Sequence, residues 1–285
     1  MELEPEGISQ PDSEAQAGRH PVVLAVEAML DDGRLEEALD AALEALDQGD
    51  GNALDLTFLA GEACLALGRG ADAERYFRAV LAMDPDCPAS RSWLAKALFL
   101  QWRFDDADAA VQAALELSDA PPDAHALKGA LLERRGLYEE AEACFRRANA
   151  MAPDLHPTPI RMSRQEFARE VRRAAAKLPR QFRQALDRVP VEVQDVPHES
   201  LAEGESAEDV LPDILGLFEG VPLPETDGLD LENWRPNRIL LFQRNLERAA
   251  FDRDDLIEQI RITLWHELGH YLGFEEEDMD DMGLA

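Results

Sequence analysis

Ala38, Ala73, Ala107 and Ala141 are spaced by 35, 34 and 34 residues, a regularity that leaves few folds open to the first half of this chain. Gly33, Gly68 and Gly136 stand five residues before three of these alanines, and Trp102 takes the same slot before the other. Four residues after each alanine come Ala42, Phe77, Val111 and Phe145, and Pro85 and Pro153 close the second and fourth units. A period near 34 residues, with small residues at helix crossings and a proline at the end of a unit, specifies stacked helix pairs. Alanine lets two helix backbones approach, and the larger apolar residue one turn later fills the next groove. Such a stack presents an extended concave surface suited to a protein or peptide partner.

The units resemble tetratricopeptide repeats, four of them over residues 19–154, with the first and third degenerate in residue type. Residues 1–18 are expected to form a flexible acidic N-terminus. Three prolines within Pro153-Asp154-Leu155-His156-Pro157-Thr158-Pro159 oppose any helix, so residues 155–162 are read as a linker. A second domain over 163–285 then opens with Ser163 and Glu166 in capping-box spacing, followed by Phe167, Val171, Ala174 and Leu178 along one helical face. The expected fold is an N-terminal α-solenoid followed by a small α+β domain.

Fifty-nine acidic residues against twenty-eight basic ones leave a formal charge of -31. That charge repels phosphate backbones and anionic lipid headgroups, so neither nucleic acid nor a membrane is an expected partner. No apolar run approaches the roughly 20 residues a membrane-spanning helix needs. Met1 to Ser13 lacks the positive start and apolar stretch of a secretory signal, and the chain is read as cytoplasmic. Cys64, Cys87 and Cys144 form no C-x-x-C pair and are read as small helix fillers, not a disulfide framework or a zinc site. Residues 161–188 carry nine basic and three acidic side chains, the one basic stretch. With twenty-five acids between 191 and 285 available as partners, it is read as a solvated or acid-paired helix face, not a nucleic-acid site.

Beyond Pro190, the alternation at Val191 and Val193 reads as a short strand, and Arg238-Ile239-Leu240-Leu241-Phe242 as another. Between them, 198–237 reads as a long loop rich in acid, glycine and proline, apart from Ile214 to Phe218. Asp252 or Asp254 can cap a helix running through Leu256, Ile260, Leu264 and Leu268, and within it stands His266-Glu267-Leu268-Gly269-His270. A spacing of four places both imidazoles on one face, one turn apart, where they can share a zinc ion. Glu267 lies beside that face, placed to deprotonate a water that the metal has acidified. A third ligand must come from outside the helix. Gly273 can take the left-handed conformation that ends a helix and reverses the chain, bringing Glu276 back toward the metal. Were the helix to continue, Glu276 would lie about 15 Å further along the axis than His266.

The run from His266 to Glu276 is similar to the H-E-x-x-H-x-x-G-x-x-D motif of small bacterial zincin-like metallopeptidases. Leu178-Pro179, Val191-Glu192-Val193, Leu215 to Leu223 and Ile239 to Phe242 resemble that family's successive elements, so the likeness spans about residues 163–284. It implies a minimal zincin fold, a few strands beside a catalytic helix, with His266, His270 and the acid ten residues after His266 binding Zn(2+) and Glu267 as general base. Here that acid is glutamate where the family more often has aspartate, and the extra methylene leaves Glu275, Glu277 and Asp278 as alternatives to Glu276. The expected function is a zinc-dependent peptidase whose repeats recruit a protein substrate or partner. The competing expectation is a non-catalytic repeat scaffold with a metal-stabilised, inactive zincin-like domain.

Overall fold

The computed structural model describes residues 20–202, 210–223, 237–274 and 278–279. The expected N-terminal tail at 1–18 lies outside these residues. The chain divides into two compact units, one up to Ala120 and one from Pro121 onward.

Six helices make up the described part of the first unit: α1 (Pro21–Asp31), α2 (Leu35–Gln48), α3 (Ala53–Ala66), α4 (Gly70–Met83), α5 (Pro88–Leu100) and α6 (Phe104–Leu115). They form the three helix pairs expected from the repeat. Ala38, Ala73 and Ala107 are fully buried at the crossings. The turn within each pair explains the recurring glycine. Gly33 and Gly68 adopt φ of 73° and 72°, and Trp102, in the same slot, adopts 61°. A bulky residue in this left-handed conformation costs about 1–2 kcal/mol. Trp102 persists there with its ring edge-on to Phe104, centroids 5.8 Å apart. Trp102→Gly is therefore expected to be more stable than Trp102→Ala by about 1 kcal/mol, the reverse of the usual ranking, in denaturant titrations that compare the two midpoints. Cys64 is a core filler as expected, and burial pushes its thiol up to about 11. Cys87 instead sits at the N-cap of α5, its Sγ 3.2 Å from Ser90 Oγ.

The second unit opens with the fourth helix pair, α7 (Pro122–Arg134) and α8 (Tyr138–Met151), joined through Gly136 at φ 72°. The proline-rich stretch 155–162 lies inside this unit, where Ile160 N–H donates to the Glu247 carbonyl at 3.1 Å. There follow α9 (Arg164–Lys177), α10 (Arg180–Leu186), β1 (Val191–Gln194), a single 3-10 turn at Glu199–Ala202, β2 (Gly216–Glu219), β3 (Arg238–Phe242), α11 (Gln243–Ala249) and α12 (Arg253–Leu272). Ser163 and Glu166 form the reciprocal capping box that starts α9.

The three strands form one sheet in the order β1-β3-β2. β1 is parallel to β3, with Val191 opposite Ile239, and β2 is antiparallel to it, with Phe218 opposite Ile239. A strand flanked on both sides and covered on both faces reads as an unbroken apolar run, which is why Ile239-Leu240-Leu241-Phe242 shows no alternation. Phe167, Val171 and Ala174 of α9 and Leu178 at its C-cap bury together with Ile239 and Leu241 of β3 and Leu256, Ile260, Leu264 and Leu268 of α12. This core sets α12 against the sheet. The basic stretch is acid-paired: Arg164 meets Asp195 at 2.6 Å, Arg173 meets Glu170 at 2.8 Å, and Arg161 meets Glu133 at 2.6 Å.

Candidate active site

α12 is held at both ends by the devices its sequence carries. The Asp252 carboxylate accepts from the backbone N–H groups of Asp254 and Asp255, both at 2.9 Å. At the other end Gly273 adopts φ 82° and ψ 25°, with its N–H donating to the His270 carbonyl and the Phe274 N–H to that of Gly269, each at 3.0 Å. The chain therefore leaves the helix axis at Gly273, three residues after His270, as a ligand from beyond the helix would require.

His266 and His270 share one half-buried face of α12. Their Nε2 atoms are 3.0 Å apart and their ring planes are nearly perpendicular, at 86°. Two nitrogens bonded to one tetrahedral zinc at about 2.0–2.1 Å stand about 3.3 Å apart. A shift of a few tenths of an ångström would thus turn the imidazole pair into two ligands of one ion, and the donor chemistry suits zinc. Among the described residues, no group of three or more histidine, cysteine, aspartate or glutamate side chains converges. Glu276, expected as the third ligand, lies outside the described residues, as do Glu275 and Glu277. Asp278 is described and exposed.

Glu267 is buried on the side of α12 that faces β2, and its Oε2 accepts from the Phe218 N–H at 2.6 Å. The Phe218 ring also packs on Tyr271, centroids 5.6 Å apart. β2 reaches this position because Gly216 has no side chain. A Cβ there would stand 2.5 Å from Thr263 Cγ2 and 2.9 Å from Glu267 Cγ. Gly216→Ala is expected to cost about 1–3 kcal/mol in thermal unfolding, and Gly216→Ala/Thr263→Ser to recover only part of it, since the methyl is removed while the approach to Glu267 Cγ stays. In the sequence Gly216 and Phe218 stand out only as members of the run Ile214 to Phe218, with nothing that ties them to Glu267. The available signal was that apolar run within an acidic stretch, with a strand glycine marking a close backbone approach. On the other flank of α12, Phe182, Trp265, Leu272 and Phe274 help to line an apolar cavity of about 120 Å³.

Residues 186–284 match the family described as zincin-like metallopeptidase. This region is a zincin-like metallopeptidase domain. Zincin-like domains bind zinc as a family, and the paired imidazoles of this one fall within the matched region. Residues 65–131 and 122–155 match tetratricopeptide-repeat families, so such repeats precede the zincin-like domain. No curated protein matches the chain. Solved structures similar to it include a thermophilic tetratricopeptide-repeat protein of Thermus thermophilus, at 20% identity over 47% of this chain and 73% of that one, with a TM-score of 0.41. MamA of Desulfovibrio magneticus RS-1 is 20% identical over 46% of this chain and 74% of its own, with a TM-score of 0.39. YrrB, a repeat protein with an unusual peptide-binding site, is 22% identical over 46% of this chain and 66% of its own, with a TM-score of 0.38. Among the described residues no helix is long and apolar enough to cross a membrane.

Proposed function

We propose that the chain is a zinc-dependent peptidase whose repeats recruit a protein substrate. The observation that carries this reading is the 3.0 Å approach of His266 Nε2 to His270 Nε2, with Glu267 next in sequence to the first of them. His266 and His270 would hold the ion, and Glu276 or an acid beside it would complete the set. When bound, zinc supplies Lewis acidity, which polarises a scissile carbonyl and acidifies water. Glu267 takes the proton of the attacking water and returns it to the leaving amine. Its hydrogen bond from Phe218 fixes the direction in which the carboxylate can present itself. β2, the last strand of the described sheet on that side, offers backbone groups along which an extended peptide could lie.

The test is a zinc titration of the purified full chain, with metal content measured in parallel and a varied peptide set offered as substrate. One zinc per chain is expected, lost in His266→Ala with helical content unchanged, and hydrolysis should vanish with the metal. Wild-type protein that takes up no zinc would overturn the reading. Stoichiometric zinc without cleavage of any peptide would instead favour a metal-stabilised scaffold.

A further inference from the structure

The repeat register also orders the groove of the first unit. Glu27 on α1, Glu62 on α3 and Lys96 on α5 are spaced by 35 and 34 residues, the same steps that separate the crossing alanines. Leu30 and Leu65 stand 35 apart, and Leu59 and Trp93 stand 34 apart. Equivalent positions of successive repeats thus form rows across the first helices of the three pairs, one charged and two apolar. All of these side chains line one open groove of about 660 Å³, together with Asp31. That volume falls within the range of roughly 300–1,000 Å³ typical of ligand sites.

The charges are not balanced along the groove. Three carboxylates, Glu27, Asp31 and Glu62, lie toward α1 and α3, while the one ammonium, Lys96, lies on α5 beside Trp93. Glu27, Glu62, Trp93 and Lys96 are half-buried. An ionised carboxylate has about four acceptor sites, so one already engaged within the fold can still take a donor from a partner. A half-buried carboxylate among leucines also interacts more strongly with an arriving cation than one in open water.

We infer that this groove docks an extended protein segment that sets a lysine or arginine against Glu27 and Glu62 and a bulky apolar side chain against Trp93 and Leu59. The inference rests on the repeats being the docking half of the chain and names the chemistry of what they dock. Charge complementarity selects the basic segment, and an acidic one would meet three like charges along α1 and α3. The apolar row supplies the anchor, since buried tryptophan contacts commonly dominate binding energy at such surfaces.

Two fluorescein-labelled ten-residue probes of equal leucine content, one with three lysines and one with three glutamates, would be titrated with the full chain while anisotropy is read. The lysine probe is expected to bind at least about tenfold more tightly than the glutamate probe. Glu27→Lys/Glu62→Lys should weaken the lysine probe by about tenfold or more, whereas Asp40→Lys/Asp47→Lys, of equal net charge but at exposed positions of α2 that do not line the groove, should weaken it by less than about threefold. Trp93→Ala should weaken it by about tenfold, with Trp93→Phe retaining most of the affinity in case the truncation disturbs α5. Equal weakening by the two charge-matched pairs would mean that only the overall negative field attracts the probe, and equal binding of both probes would remove charge selection; either result overturns the inference. Binding is read without zinc and without cleavage, so failure here leaves the peptidase reading standing, and failure of that reading leaves the groove untouched.

Discussion

Arg161→Met is expected to lower the stability of the second unit by about 2–4 kcal/mol, because it removes three charge-assisted hydrogen bonds and leaves each buried carboxylate with one arginine, Arg248 for Glu133 and Arg244 for Glu247. The Arg161 guanidinium donates through Nη2 to Glu133 of α7 at 2.6 Å, through Nε to Glu142 of α8 at 2.6 Å and through Nη1 to Glu247 of α11 at 2.8 Å. The side chains of Glu133 and Glu247 are wholly buried. Arg248 also pairs with Glu133, and Glu247 accepts further from Met162 N–H at 3.0 Å and Gln243 at 2.7 Å. Burial disfavours the guanidinium charge, but the three carboxylates outweigh burial and hold Arg161 above its ordinary pKa. The guanidinium uses three separate nitrogens to reach acceptors on separate helices, whereas an ammonium offers its donors from one nitrogen, so Arg161→Lys should recover part of the loss and no more. Denaturant unfolding of the three proteins measures this directly. Equal midpoints for wild type and Arg161→Met would show that the cluster contributes nothing net. The same contacts make the fourth helix pair part of the folded C-terminal unit. A fragment beginning at Pro121 is therefore expected to unfold cooperatively, and one beginning at Ser163, which lacks both Glu133 and Arg161, to be much less stable.

Glu267→Gln is expected to lower peptide hydrolysis by about 10²–10⁴-fold while leaving zinc stoichiometry unchanged. The amide is close to isosteric and its oxygen can still accept from the Phe218 N–H, so β2 keeps its place and stability should move by less than about 1 kcal/mol. What the substitution removes is the basic oxygen that takes and returns a proton. His266→Ala acts on the other half of the site and should lose metal and activity together. The pair of variants separates proton transfer from metal binding. If Glu267→Gln hydrolyses peptides as fast as wild type, the assignment of the base is wrong.

Much of this architecture is legible locally. The 34-residue register places Ala38, Ala73, Ala107 and Ala141 at buried crossings, and it even places Trp102, whose residue type hides the slot, in the left-handed turn that Gly33, Gly68 and Gly136 occupy. Ser163 with Glu166, Asp252 with the first turn of α12, and Gly273 at its end are all read within a few residues of one another. The His266 and His270 pairing is of the same kind, since helical geometry alone sets two side chains four residues apart side by side. Glu276 lies outside the described residues, and its role remains a proposal.

Other features had no local signal strong enough to find them. β2 is a four-residue strand opening on a glycine, and its meaning depends on Thr263 and Glu267, 47 and 51 positions further along the chain. The Phe218 bond to Glu267 spans 49 positions, and the Arg161 bond to Glu247 spans 86. A proline-rich stretch reads as a linker because proline opposes helix, yet nothing in that rule says whether the segment is buried. Periodicity, caps and turns are properties of neighbouring residues, and they determined the helix pairs, the stripe that carries His266 and His270, and the bend after it. Which strand meets the buried glutamate, and which carboxylates close around Arg161, was decided only when distant segments packed, because desolvation and steric fit depend on what fills the space on the other side.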